Sequence, residues 1–303
     1  MNGLEQSLVG GVEAGTAILL PALGELIGEL SGVINLGTEG CMLSGALGAY
    51  ALAVVTGSSR IGIVGGLLAG ALFGLIHAYM TVFRKADQLA SGLVVWFLAL
   101  GLTSVFGTGF INDSISPLPT IAIPGLSSIP WVGPILFKHD VLVYLSYVLV
   151  AILVWALNRT RVGLLLRATG ERPEVVAVAG TRPAVVQMIA VTVGAGLAGI
   201  GGAQLSVGYV GNWFNDMTSG YGFVAVAVVL FAAWKPIRVL IGSYLFGVAL
   251  AATSVLQAHG VAVNQYLLDA VPYLATLLAL VAVSWKGVSS APEALTRALT
   301  ENS

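Results

Sequence analysis

The feature that most constrains the fold is a series of nine apolar runs, each long enough with its flanks to cross the roughly 30 Å hydrocarbon core of a bilayer. Only 9% of the residues are charged, whereas soluble domains carry about a quarter. The sequence therefore predicts an all-α polytopic membrane protein of eight to ten transmembrane helices, with residues 1–287 as one membrane domain. The runs are Leu8–Leu23, Cys41–Val55, Ile61–Phe83, Ala90–Phe106, Val141–Leu157, Ala184–Val207, Gly222–Trp234, Val239–Ala258 and Tyr266–Trp285.

The basic residues predict the orientation of these helices. Residues 158–183 hold Arg159, Arg161, Arg167, Arg172 and Arg182, and cytoplasmic loops are enriched in such residues. Alternating spans place Arg84, Lys85, Lys235, Arg238, Lys286 and Arg297 on the same side, and leave Arg60 and Lys138 outside. We expect a plasma (inner) membrane protein with a cytoplasmic loop 158–183, an external loop 108–140 and a cytoplasmic tail 288–303.

The side on which the N-terminus lies is left open by the same count. It is external if Leu8–Leu23 crosses once, and cytoplasmic if Leu26–Gly37 adds a crossing. The external loop contains five prolines, which favour an ordered loop or short re-entrant pieces over a long helix. That loop either docks a partner or only links two spans.

A short helix is predicted inside the basic loop, from Pro173 to Ala179. Proline suits the first helical position, Glu174 suits the positive end of the helix dipole, and Gly180 can end the helix in the left-handed conformation. A helix of about two turns is unstable alone in water. It therefore either docks on a protein partner or lies at the lipid headgroups.

Two stretches interrupt the membrane pattern. Residues 24–40 place Glu25, Glu29 and Glu39 between apolar runs, and residues 208–222 carry polar residues and glycines. Charges and broken backbone are tolerated at membrane depth where protein or a water-filled cavity surrounds them. Paired interruptions in the two halves of a transporter point to its substrate path, and the alternative for each stretch is an ordinary turn outside the membrane.

Other chemistry is not supported by the motifs. Residues 194–199 match the dinucleotide pattern Gly-x-Gly-x-x-Gly, but no soluble strand precedes them, and the small residues suit close helix packing instead. No phosphate-binding loop, metal-ligand spacing or paired catalytic groups occur, so no cofactor, metal or catalytic residue is predicted. No strongly charged tail suggests a nucleic acid polymer as partner.

Five segments together resemble the permease subunits of ABC importers in the branched-chain amino acid, simple sugar and nucleoside group, with the nucleoside permeases most similar. The resemblance runs from about residue 20 to 285. The segments are Gly32–Gly40 (Gly-Val-Ile-Asn-Leu-Gly-Thr-Glu-Gly), Ala90–Leu93, Asn158–Leu164, Leu166–Pro173 and Gly220–Ala227.

This resemblance implies a non-enzymatic transport subunit that is driven by separate cytoplasmic ABC ATPase subunits. It also implies a second permease chain, identical or homologous, an external solute-binding protein and surrounding membrane lipid. The helix after Pro173 becomes the coupling helix, with Gly170, Glu171, Pro173, Ala177 and Gly180 as contact-loop residues. The hypothetical substrate path is lined by Asn35, Glu39, Trp96, Trp213, Phe214 and Asn215, and nucleobases could stack on its rings.

Three other functions remain as alternatives. The same type of importer could carry branched-chain amino acids or simple sugars. A proton-coupled secondary transporter would use Glu25, Glu29 or Glu39 as proton carriers, since ionisable residues at membrane depth often mark ion pathways. An intramembrane enzyme is disfavoured by the lack of paired catalytic groups.

Overall fold

The computed structural model describes residues 3–111, 113–258 and residue 293. In this part of the chain, seven helices are long and apolar enough to cross a membrane, which confirms the all-α polytopic fold. The predicted run Tyr266–Trp285 and the tail, apart from residue 293, lie outside the described residues. The helices are α1 (Gly3–Leu30), α2 (Thr38–Thr56), α3 (Ser59–Ala78), α4 (Gln88–Phe106), α5 (Val132–Phe137), α6 (Val141–Arg159), α7 (Arg161–Glu171), α8 (Pro173–Val178), α9 (Pro183–Ala203), α10 (Tyr221–Phe231) and α11 (Pro236–Ala258).

Short irregular turns extend three of the long helices. A π-helical turn, Tyr79–Phe83, continues α3, a second one, Gln204–Val210, continues α9, and a 3₁₀ turn, Gly107–Phe110, follows α4. The strands β1 (Ile121–Ala122) and β2 (Lys138–His139) pair antiparallel within loop 108–140. This loop is therefore ordered by short elements, as its prolines predict.

The helices alternate between two ends of the bundle. Residues 31–37, 84–87, 158–183 and 232–235 lie at one end. Hydrogen bonds at this end include those from Gln88 to the Gly32 carbonyl and from Gln187 to the Ser31 carbonyl. We call it the basic end, since Arg60 and Lys138 are the only basic residues of the described segments that lie elsewhere. The opposite end gathers residues 56–59, 107–140 and 211–215, joined by hydrogen bonds such as Ser59 Oγ to the Ser116 carbonyl.

The first helix crosses the bundle once. At the opposite end, Glu13 Oε1 lies 3.5 Å from Nδ1 of His139; at the basic end, the backbone of Leu30 contacts Gly170. Residues 26–37 therefore add no crossing. Gly24, with which the first interrupting stretch begins, is still helical and packs against the Gly194 backbone of α9; the helix is interrupted only over residues 31–37.

The second interruption forms a broken crossing. Residues 211–220 begin at the opposite end, where the Gly211 carbonyl accepts from Ile115 N–H, and turn back into the bundle. Helix α10 continues from there to the basic end. Its 11 residues span about 16 Å, half of a bilayer. The run Gly222–Trp234 therefore does not cross as one helix, and the predicted broken segment is confirmed.

The core is built from small residues that let helix backbones touch. A Cβ atom on Gly199 would collide with the Gly66 carbonyl of α3, and one on Gly202 would collide with the Met42 carbonyl of α2. Close approach of this kind stabilises helix pairs in lipid. The hydrophobic effect does not drive helices together there, so van der Waals packing does. The structure thus confirms the packing interpretation of residues 194–202.

Candidate functional site

Glu39 joins the second helix to the broken crossing. It lies in the first turn of α2 and is 1% exposed. Its carboxylate accepts hydrogen bonds from Thr218 Oγ1 at 2.6 Å, Gly220 N–H at 2.9 Å and Gly222 N–H at 2.6 Å. The N-termini of α2 and α10 meet there, and the positive ends of both helix dipoles favour a carboxylate. Gly222 precedes Phe231 by nine residues, or about 14 Å of helix, so this junction lies well inside the bundle.

Glu25 closes the break after α1. Its carboxylate accepts from the backbone N–H of Asn35 at 2.8 Å and from Thr38 Oγ1 at 2.7 Å. Glu25 lies five residues before the end of α1, so the chain after Leu30 folds back along its own helix. The break is therefore fixed by a buried side chain that precedes it.

Glu29 is held by the turn between α10 and α11. Trp234 Nε1 donates to Glu29 Oε2 at 2.5 Å, and Glu29 Oε1 is buried with no protein partner. Ala233 and Trp234 have φ values of 49° and 55°, a left-handed conformation that costs non-glycine residues about 1–2 kcal/mol each. The strained turn brings the indole to the carboxylate.

An aromatic group lies beside the start of α2. The Trp96 ring is 5.0 Å from the Phe223 ring and 4.7 Å from the Phe97 ring, measured between centroids. Gly40 packs directly on the Trp96 backbone. Trp96 Nε1 and the side-chain oxygen of Asn35 are both buried without a protein partner. Trp96 Nε1 can therefore donate a hydrogen bond to a bound molecule, and Asn35 Oδ1 can accept one from it.

The predicted path residues divide into two groups. Asn35 and Glu39 lie in the short segment 35–41, and Trp96 packs against this segment through Gly40. Trp213 is instead buried against Gly107, and Phe214 and Asn215 are exposed on loop 211–220. The structure brings only the first three together; the role of all six stays a prediction.

The predicted coupling segment forms two consecutive helices. Thr160 caps α7 by accepting from Gly163 N–H at 3.2 Å. Helix α8 begins with Pro173 at its first turn, and Gly180 has a φ of +84° just after it. The expected short helix and its glycine stop are therefore present. Helix α7 was not predicted, although Gly163, Leu166, Thr169 and Gly170 form its buried face.

Helix α8 is only partly packed on the rest of the protein. Val176 is buried, while Val175 and Val178 are 59% and 91% exposed. Glu171 and Ala177 are exposed as well. This short helix thus presents apolar side chains away from the bundle.

Two contacts connect the helices on either side of α8, which are α7 and α9, to the end of α1 and the break after it. Gly170 fits against the Leu30 carbonyl so closely that a Cβ would collide with it, and Gln187 Nε2 donates to the Ser31 carbonyl at 3.1 Å. Glu293 also reaches this region, since its N–H lies 3.4 Å from Glu171 Oε2. A displacement of α8 that moves α7 or α9 with it therefore reaches residues 31–37 through these contacts.

Several of these partners were missed at the sequence level. Thr218, Gly220, Gly222 and Trp234 hold the buried carboxylates, and Gln88 holds the break through Ile34 N–H. The segment Gly220–Ala227 is one of the five that carry the family resemblance, which gives no sign of its bonds to Glu39. Among the described residues, no group of three His, Cys, Asp or Glu residues could hold a metal ion.

Comparison with known proteins identifies the family. The model for the permease component of branched-chain amino acid transport systems matches residues 7–281. A putative glucose ABC transporter permease of Haloferax volcanii is 40% identical over 78% of this chain and 73% of its own length. No solved structure matches significantly.

Two relatives are named for nucleosides. A guanosine ABC transporter permease of Bacillus subtilis is 32% identical over 91% of both chains. A nucleoside ABC transporter permease of Lactococcus lactis is 35% identical over 77% of both chains. Together with the family match and the membrane-spanning helices, these relatives show that the chain is an ABC transporter permease subunit, not itself an enzyme, and belongs to the branched-chain amino acid transport permease family.

Proposed function

We propose that this permease imports nucleosides, with the basic end facing the cytoplasm and α8 docked on a separate ATPase. The family implies an ATPase partner and a substrate-binding protein. The concentration of basic residues at one end supports the orientation. Under it the N-terminus is external, and the contact of Glu293 with Glu171 supports a cytoplasmic tail.

The exposed face of α8 is the observation that carries the coupling proposal. Val178 is 91% exposed and Val175 is 59% exposed on a six-residue helix. Helices this short gain their stability from tertiary contacts, and exposed apolar residues rimmed by polar ones suit a protein partner. We assign Gly170, Glu171, Pro173, Ala177 and Gly180 to the contact loop.

In the proposed mechanism, movement of the ATPase is transmitted from α8 to the buried carboxylates. When the ATPase closes on ATP, α8 moves as a rigid body. Gly170 of α7 and Gln187 of α9, the helices on either side of α8, pass the movement to residues 31–37. Glu25 ties these residues to α1, and they lead into Glu39. The Glu39 junction with Gly220 and Gly222 then opens or closes the broken crossing. Glu25, Glu29 and Glu39 each accept at least one hydrogen bond from the protein, which supports a structural role for them. The family match favours an ATP-driven importer over the secondary-transporter alternative.

The nucleoside assignment rests on the aromatic group and on the relatives' names. A purine or pyrimidine can stack on Phe223 while Asn35 Oδ1 accepts a hydrogen bond from it and Trp96 Nε1, whose ring stands edge-on to Phe223, donates one to it. Glucose is the second candidate, favoured by the 40% identical relative. A second permease chain and an external solute-binding protein complete the importer. Loop 108–140 is the surface on which the binding protein docks.

The coupling proposal is tested by Val178→Asp, with Val55→Asp as its matched control. Val55 is also a highly exposed valine but lies at the opposite end of the bundle. We expect Val178→Asp to abolish co-purification of the ATPase and ATP-driven uptake, while Val55→Asp retains both. An ATPase that still co-purifies with the Val178 variant at the wild-type ratio contradicts the proposal.

The substrate is tested in vesicles that contain the assembled transporter. We expect ATP-driven accumulation of labelled guanosine that unlabelled adenosine reduces and glucose does not. Accumulation of labelled glucose, unaffected by nucleosides, would establish the second candidate instead. Uptake that an imposed proton gradient drives without ATP would contradict both.

A further inference from the structure

A cavity at the basic end combines positive charge with an apolar wall. It encloses about 510 Å³ between the end of α6, helix α7 and the α10–α11 turn. Arg167, Lys235 and Arg238 line it, against a single lining carboxylate, Glu171. Leu30, Val154 and Leu157 form its apolar side. The lining therefore carries a net positive charge beside a surface that excludes water.

The backbone adds to this positive charge. Helix α11 begins at Pro236, which lines the cavity, so the positive end of a 23-residue helix lies there. The preceding residues Ala233 and Trp234 adopt the strained left-handed turn described above and also line the cavity. Strain of this kind is kept where surrounding structure enforces a particular shape.

Two neighbouring membrane helices line the cavity, α6 through Val154 and Leu157 and α11 through Pro236 and Ile237. Ser146 of α6 and Tyr244 of α11 lie 3.3 Å apart at their hydroxyl oxygens, so these helices are adjacent. Each carries an exposed apolar ridge at helical spacing: Val148, Ile152 and Trp155 on α6, and Ile237, Ile241 and Leu245 on α11. Such ridges face hydrocarbon in a membrane protein.

We propose that this cavity binds the phosphate headgroup of an anionic phospholipid, with its acyl chains along α6 and α11. The basic lining and the N-terminus of α11 neutralise the headgroup, and the apolar side accommodates the glycerol and upper chains. A lipid bound there also contacts Trp234, whose indole holds Glu29, so the membrane's anionic lipid supports the turn between α10 and α11. The site does not depend on which solute is carried.

The test titrates the full chain in detergent with phosphatidylglycerol and with phosphatidylcholine, and counts bound lipids by native mass spectrometry. We expect one phosphatidylglycerol to bind at least tenfold more tightly than phosphatidylcholine. The double variant Lys235→Gln with Arg238→Gln should weaken phosphatidylglycerol binding about thirtyfold, since each basic residue near anionic lipid contributes about fivefold. The matched control, Arg84→Gln with Lys85→Gln at the same end, should change it less than twofold.

A charge-preserving variant separates lost charge from lost structure. Lys235→Arg with Arg238→Lys should bind phosphatidylglycerol as the wild type does. Equal affinity for both lipids, or equal weakening by both glutamine variants, overturns the proposal. Inorganic phosphate at millimolar concentration should not displace the lipid; if phosphate alone competes fully, the site is one for a free anion and the lipid assignment is wrong.

Discussion

The Glu39 carboxylate accepts the backbone N–H of Gly222 at 2.6 Å, although 183 residues separate the two in the sequence. This bond joins the N-terminus of α2 to that of α10, and Thr218 and Gly220 add two more donors to the same carboxylate. In the proposed mechanism the junction is the point at which the broken crossing is held closed.

Removing this carboxylate should affect both stability and transport. Glu39→Ala leaves three buried donors without a partner, each costing about 1–3 kcal/mol. We expect a large drop in the melting temperature of the detergent-solubilised protein and no uptake. Glu39→Gln keeps one acceptor oxygen, so it should fold better than the alanine variant and still transport poorly.

The matched control for Glu39 is Asp216→Asn. Asp216 lies in the same loop, is exposed and has a φ of 56°, which asparagine tolerates. It should keep wild-type stability and uptake. A Glu39→Ala protein that is as stable and active as the Asp216 variant would show that the junction has no role.

Gly170→Ala should weaken the contact through which α8 acts on the bundle. The added Cβ collides with the Leu30 carbonyl and lies 3.2 Å from Gly32 N, so α7 must shift at a cost of about 1–3 kcal/mol. Gly170 is buried, so the added methyl group points into the protein and leaves the exposed residues of the contact loop unchanged. We expect the ATPase still to bind but coupling to fall, measured as uptake per ATP hydrolysed. Gly101→Ala is the control, because nothing lies within 4 Å of its Cβ; equal coupling in both variants would refute the route through Gly170.

Glu171→Arg and deletion of Pro173 should abolish transport while leaving the protein in the membrane. Glu171 is exposed, so reversing its charge alters the contact surface without removing a core contact. Deleting Pro173 removes the residue that begins α8 and shifts the register of the contact loop. The amount of protein in the membrane is measured by quantitative blotting, and transport is measured as uptake. Unchanged uptake in both variants would contradict the assignment of the coupling helix.

Glu29 and Trp234 should be energetically coupled. Their bond of 2.5 Å is the only hydrogen bond of either polar group among the described residues, so each single variant, Glu29→Leu or Trp234→Phe, removes the same interaction. A double-mutant cycle on the free energy of unfolding in SDS should give a coupling of about 1 kcal/mol or more. Strict additivity of the two changes would show that the bond contributes nothing to stability.

The sequence predicts the elements whose signals are local. Apolar length predicts the long helices, and Pro173 with Gly180 predicts both ends of a six-residue helix. Local signals did not show that α1 continues through Gly24 to Leu30, because a glycine weakens an isolated helix but allows contact with the Gly194 backbone when packed. Local propensity gave way to tertiary contact there.

The buried junctions could not be predicted in this way. Glu25, Glu29 and Glu39 were recognised as unusual, but their identical chemistry gives no sign that Asn35, Trp234 and Gly222 are their respective partners. Those pairings depend on how α10 and the breaks are placed in three dimensions. At the sequence level a proton-carrier role for these carboxylates was an alternative, disfavoured by the cytoplasmic loop with its docking helix.

Trp96→Phe should separate substrate binding from stability. The indole N–H of Trp96 is buried without a protein partner, so removing it breaks no bond of the protein and keeps the ring beside Phe223. We expect an unchanged or slightly higher melting temperature, and a KM for uptake about two- to tenfold higher because one hydrogen bond to the solute is lost. Trp155→Phe, on the exposed face of α6, should alter neither quantity. A Trp96→Phe transporter with the wild-type KM would remove Trp96 from the substrate path and leave Asn35 as the free polar group to test next.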